Sequence, residues 1–332
     1  MPPYRRHRWL LLLPLVLAGC GGPFPQSALH PESDYARALD GLFRGIFWWA
    51  VLVFVVVESL VLFILIRYRQ RKGAATPKPT HGHTVLEIAW TIAPALILVF
   101  IAVPTMRTIF TTQGAPAADA LKIQVIGHQW WWEYRYPDLG VVAANEMHVP
   151  VGKPVVLEIT TADVIHSFWA PALGGKRDLI PGHVNRIMFT AESIGTISGQ
   201  CAEFCGASHA NMRLRVMVDA DSTFKAWVAA QQAPARAVAR GSPEQAGQDA
   251  LRRYGCIACH AITGVSAGII GPNLTHVGSR TTIAAGVLPN TDEDLARWIT
   301  DPPGVKPGAK MPKLPVQPQD LTAIVAYLRS LK

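Results

Sequence analysis

Apolar residues along this chain fall into runs of three lengths. Trp9–Ala18 is a short run behind Arg5, Arg6 and Arg8. Basic residues ahead of an apolar stretch too short to cross a bilayer read as a secretory signal. Ile46–Ile66 and Val85–Val103 are longer, at 21 and 19 residues. Only Glu58 and Ser59 break the first, while the second holds Glu87 near its start and Pro94 inside. About 20 helical residues span the hydrocarbon core of a membrane, so the pattern predicts a helical hairpin anchor.

Past residue 120 the runs shorten and the period changes. Leu121–Ile126, Val155–Thr160, Arg186–Thr190 and Arg213–Val218 are β-branched or alternating, with turn signals such as Val151-Gly152-Lys153-Pro154 between them. They predict an all-β sandwich or barrel. Ala229–Gly241, rich in Ala and Gln with Pro234, reads as a linker. Helical patterns follow at Pro243–Tyr254, Asp292–Thr300 and Asp320–Leu331, with Ser242 placed to cap the first and Glu244 in its first turn. No internal repeat is visible. The expected organisation is a multidomain membrane protein. It comprises a signal peptide at 1–19, an exported segment at 20–41, a transmembrane hairpin at 42–106, an all-β domain at 107–219, a linker at 220–241 and an all-α domain at 242–332.

Composition agrees. Of 332 residues 16% are charged, against roughly 25% in soluble domains, and mean hydropathy is +0.21. The net charge of +8 would allow a nucleic-acid partner. Its location excludes one: Arg67, Arg69, Arg71, Lys72 and Lys78 share a short loop without an acidic residue. By the positive-inside rule that loop is cytoplasmic, which puts both chain ends and everything after about residue 106 outside. Leu17-Ala18-Gly19-Cys20 resembles the bacterial lipobox, implying cleavage before Cys20 and its acylation.

The other four cysteines sit in metal-type spacings, against which a disulfide framework is the bland alternative. In the first, Cys201 and Cys205 are followed by His209 and Met212. Thiolate, imidazole and thioether favour copper, and Met212 argues against a simple zinc site. One more imidazole is needed, and His166 follows a predicted strand.

At this point the sequence resembles subunit II of the haem-copper cytochrome c oxidases. The residues that carry the likeness are His166-Ser167-Phe168, Cys201-Ala202-Glu203-Phe204-Cys205 with His209 and Met212, Glu87-Ile88-Ala89-Trp90-Thr91, Gly127-His128-Gln129-Trp130-Trp131-Trp132, and Leu173 to Gly182. The likeness implies a cupredoxin-like sandwich holding binuclear copper A. Cys201 and Cys205 would bridge the metals, His166 and His209 cap them, Met212 ligate weakly and Glu203 ligate through its carbonyl. The Glu203 carboxylate would reach a magnesium at the subunit I interface. Trp130 would receive the electron, and Trp131 or Trp132 would pack in the core. Glu87 would stand at the mouth of a proton channel. The family commonly has arginine where this chain has His183, a departure that touches the subunit I contact.

The second motif, Cys256-Ile257-Ala258-Cys259-His260, is a c-type haem attachment signal. His260 would be one axial ligand, and the sixth is His or Met. Met311 is the favoured candidate and His276 the rival. Residues 242–332 resemble cytochrome c. Together the modules resemble subunit II of a caa-type oxidase, with one covalent haem c fused to the copper subunit. That resemblance implies a two-pass protein of the bacterial cell membrane, partnered by subunit I, subunit III and a soluble cytochrome c donor, passing electrons to oxygen. The rivals are the small subunit of a copper A-type nitric oxide reductase and a membrane-anchored copper-delivery protein.

Overall fold

The computed structural model describes residues 24–70, 73, 79 and 81–332. The expected signal peptide, Cys20 and three of the loop cations (Arg71, Lys72 and Lys78) lie outside the described residues. Helix α1 spans Asp34–Arg67 and α2 spans Thr84–Thr112. Both are long and apolar enough to cross a membrane. Their side chains project outward uncovered, Phe54, Leu62, Leu98 and Phe100 among them. A helix apolar all round needs lipid or partner helices against it.

Helix α1 starts well before its apolar run. Ser33 caps it, accepting from the Ala36 amide at 3.0 Å while its own hydroxyl donates to the Leu173 carbonyl at 2.7 Å. The Asp34 carboxylate accepts from the Thr190 amide at 2.7 Å. Tyr35 lies on Gly174 and Gly175, and any Cβ at Gly174 would strike its ring. The first turns of α1 are therefore polar because they pack on the β-sandwich rather than in an apolar layer.

The sandwich consists of two five-stranded sheets. One contains β1 (Leu121–His128), β2 (Trp131–Tyr136), β3 (Val141–Ala144), β5 (Pro154–Thr161) and β8 (Asn185–Thr190), in the order β3-β2-β1-β5-β8. The other contains β4 (Glu146–Pro150), β6 (His166–Trp169), β7 (Arg177–Leu179), β9 (Gly195–Cys201) and β10 (Arg213–Asp219), in the order β4-β10-β9-β6-β7. Alternate residues face inward, so Ile123, Trp132, Tyr134, Leu157, Leu179 and Leu214 form a dry core.

The expected linker at 220–241 is only partly a linker. Asp221–Gln232 forms helix α3, because Phe224 is buried and Trp227 packs edge-on to Tyr136 and stacks on His148. These contacts are long-range, so composition alone pointed to a tether. Residues 233–241 make the remaining connection.

The C-terminal domain is built on α4 (Pro243–Arg253), α5 (Asp292–Thr300), the short α6 (Pro302–Val305) and α7 (Pro318–Ser330). Ser242 caps α4, accepting from the Gln245 amide at 3.2 Å. Helices α4 and α7 cross at Gly247, where a Cβ would land on the Ala323 carbonyl, with the Tyr327 Cβ 2.7 Å away. Gly247→Ala is expected to destabilise this domain by about 1–3 kcal/mol, read as earlier amide exchange and a lower unfolding midpoint for the C-terminal domain with the sandwich unchanged.

Candidate functional site

Three strand ends build the first site. His166 opens β6, Cys201 closes β9, and Met212 precedes β10. The loop between is pinned by its own backbone. The Cys201 amide donates to Met212 at 2.9 Å, Ala202 to Ser167 at 3.0 Å, and His209 to Gly206 at 3.0 Å. Gly206 turns at φ +111°, a conformation other side chains avoid.

All six residues expected at the metal converge. The Cys205 sulfur lies 3.7 Å from that of Cys201, 3.6 Å from Nδ1 of His209 and 4.0 Å from Sδ of Met212. The Cys201 sulfur lies 3.9 Å from Nδ1 of His166 and 3.3 Å from the carbonyl oxygen of Glu203. The ligand atoms of His166, Cys201 and Cys205 fall within 4.8 Å of one another, and all three residues are buried. Buried sulfur and nitrogen donors aimed at one point fit a soft metal. Their electrostatics agree: the contact with Cys205 pulls the Cys201 thiol far below its usual range, and the same contact pushes Cys205 up. One thiolate already forms readily, and a metal supplies the charge that lets both exist.

Asp163 is a residue that sequence reading missed. Its carboxylate oxygen lies 2.9 Å from Nε2 of His166, so Nδ1 is left facing the thiols. The other oxygen accepts from the Gln129 amide at 2.7 Å. Burial alone would lower the His166 imidazole, but bonds to Cys201 and Asp163 outweigh it and raise it. Spacing by three from a candidate ligand was the available signal. Asp163→Asn is expected to weaken metal affinity about 10- to 100-fold, measured by competition with a chelator.

Trp130 is buried beside this loop, its indole nitrogen donating to the Cys205 carbonyl at 2.9 Å. Trp132 is fully buried, whereas Trp131 stacks on His128 at 4.2 Å. The C-terminal domain covers Trp130 from the other side. A Cβ at Gly308 would lie 3.0 Å from the indole ring, and Lys306 donates to the Trp130 carbonyl at 2.5 Å. Burial pushes the Lys306 ammonium down to about 7.

In the second site Cys256 and Cys259 are free thiols on one 3₁₀ turn, and His260 follows directly. Nδ1 of His260 lies 2.8 Å from the Pro272 carbonyl, so it carries the proton and leaves Nε2 as an electron-pair donor. Gly271 gives the ring room, since a Cβ there would come within 2.5 Å of it. Two thiols and an oriented imidazole fit a covalent haem. Met311 is half-buried in the segment leading to α7. The rival, His276, has Nε2 3.1 Å from the Gln231 carbonyl at the end of α3. Glu87 lies apart from both sites, exposed in the first turn of α2.

Family profiles match three stretches of the chain. "Cytochrome C oxidase subunit II, transmembrane domain" matches residues 25–108, "Cytochrome C oxidase subunit II, periplasmic domain" residues 140–220, and "Cytochrome c" residues 244–332. The cytochrome c oxidase subunit 2 of Alkalihalophilus pseudofirmus is 38% identical, over 97% of this chain and 96% of its own. That of Bacillus subtilis is 33% identical over 97% and 96%. A quinol oxidase subunit 2 of Bacillus spizizenii is 32% identical over 66% of this chain and 70% of its own.

Proposed function

Because the chain belongs to the cytochrome c oxidase subunit II family and ends in a cytochrome c domain, we propose that it accepts electrons at that domain and passes them, through its copper domain, to subunit I for the reduction of oxygen to water. Membership makes it a two-pass membrane subunit of an oxidoreductase complex, with subunit I as its partner. The periplasmic-domain match implies copper, and the cytochrome match implies haem.

Copper and haem supply one-electron redox centres when bound. Cys201 and Cys205 would bridge two coppers, His166 and His209 would cap them, and Met212 with the Glu203 carbonyl would complete the set. The observation that carries this reading is the convergence of these donors on the paired thiols. Two shared thiolates would spread one electron over both metals, which would keep reorganisation on transfer small. The Glu203 carboxylate is free to meet magnesium at the subunit I interface. Cys256 and Cys259 would hold one haem covalently, and His260 and Met311 would ligate its iron.

Trp130 bridges the two domains and receives the electron on the copper side. The donor to the haem domain is a soluble cytochrome c, and proton translocation in the complex begins at Glu87 on the cytoplasmic side. Both redox domains stand outside the bacterial cell membrane, held there by the basic loop at 67–84. Subunit III completes the expected partners, and a lipid on Cys20 adds a third anchor.

The test is the purified complex. It is expected to show a mixed-valence copper signal by electron paramagnetic resonance, c-type haem bands, and oxygen uptake with reduced cytochrome c. Absence of both centres, or consumption of nitric oxide without oxygen uptake, would overturn the reading.

A further inference from the structure

Glu146 opens β4 with its side chain buried in the copper domain, yet its bonds go to the other domain. Both its oxygens accept from the Thr281 amide, at 3.0 and 3.1 Å. The Thr282 amide reaches it at 2.8 Å, and the two threonine hydroxyls at 2.6 and 2.7 Å. Arg215, opposite Glu146 in the β4–β10 pairing, touches the Thr281 hydroxyl at 3.4 Å. A buried carboxylate is tolerable when its lone pairs are filled, and here the second domain fills them. Separation of the domains would strip four donors from it at once.

The hairpin that Glu146 grips is held in an unusual shape. Ala284 and Ala285 sit at φ +54° and +61°, a left-handed pair without glycine. Alanine adopts that region at a cost, and does so where surroundings over-determine it. Here the carbonyl of Ala284 accepts from Lys306 at 3.1 Å, and that of Ala285 from the Arg213 amide at 3.1 Å. Beyond the hairpin, Ser208 donates to the Pro307 carbonyl at 2.5 Å, one residue before Gly308 on Trp130.

We propose that Glu146 is a positioning residue: by gripping Thr281 and Thr282 it latches the haem domain onto the copper domain in one register, with Gly308 seated on Trp130. The purpose of the latch rests on the redox reading above, while its geometry does not. Because the chain's own domain covers Trp130, a diffusing carrier meets the haem domain instead. Without the latch, the 233–241 tether and the remaining bonds, such as Lys306 to Trp130 and Arg213 to Ala285, hold the domains less firmly, so they spend more time apart and transfer waits on re-docking.

Glu146→Ala in the purified oxidase tests this. Amide exchange at Thr281 and Thr282 is expected to accelerate at least about tenfold. After photoreduction of the haem, its equilibration with copper is expected to slow about tenfold or more, while the copper resonance and haem bands stay at wild-type intensity. Glu146→Gln, which keeps one acceptor oxygen, is expected to fall between. If Glu146→Ala folds poorly, a Thr281→Val, Thr282→Val pair, which removes the two hydroxyl donors and keeps the two amides, should move both readouts in the same direction by less. Wild-type exchange and wild-type equilibration in the loaded threonine variant would overturn the latch. A wild-type complex lacking copper or haem would instead sink the redox reading, leaving the latch to be judged on exchange alone.

Discussion

Cys205→Ser is expected to erase the mixed-valence copper signal while leaving the haem c bands at wild-type height. The Cys205 sulfur lies within 4.0 Å of Cys201, His209 and Met212. A serine hydroxyl is a hard donor and stays protonated near neutral pH, so it neither bridges two coppers nor shares their electron. Outer-sphere changes cost about 10- to 100-fold in metal affinity, and loss of a bridging ligand exceeds that. Oxygen uptake driven by reduced cytochrome c should fall below about one hundredth of wild type. Cys201→Ser is expected to behave alike. Normal copper content in either variant would contradict the assignment of bridging ligands, and zinc in the wild-type protein would contradict the choice of metal.

The second large effect is expected from the double variant Cys256→Ala, Cys259→Ala. Haem should no longer survive acid–acetone extraction, and the C-terminal domain should lose most of its stability. Its core is a small cluster around Leu251, Ile262, Leu295, Ile324 and Tyr327. A domain of this size has little apolar area to spare and leans on its prosthetic group. The copper signal is expected to persist, because the sandwich has a separate core. Single variants sort the sixth ligand. Met311→Ala should keep haem covalently bound but shift its reduction potential, whereas His276→Ala should leave the potential unchanged. The reverse result would exchange their roles.

Whatever has a local period or a local spacing was legible in the chain. Long apolar runs gave the two membrane helices, and alternation gave strands such as β1 and β10. Ligands clustered in one loop, from Cys201 to Met212, announced soft-metal chemistry before any geometry was known. His166 lies far off in sequence and was reached through its segment's resemblance and its place after a strand. Asp163 could have been suspected only because it precedes His166 by three. Glu146, Lys306 and Gly308 carried no signal at all. A glutamate beginning a strand reads as an ordinary sheet-edge residue until the fold brings Thr281 and Thr282 to it. Helix α3 was hidden for the same reason, since Phe224 and Trp227 find their partners across the sandwich. Interfaces between domains join residues far apart in sequence, as the Glu146–Thr281 separation of 135 illustrates, and no local pattern encodes them.

Helix α1 has a mechanical consequence. Its 34 residues make a rod of about 51 Å, against a hydrocarbon core of about 30 Å. About 20 Å of stiff helix therefore stands clear of the apolar layer, bolted to the sandwich through Ser33, Asp34 and Tyr35. A floppy tether would let the sandwich roll on the membrane surface. A strut clamped at its upper end instead fixes the height and azimuth of the sandwich relative to the helix.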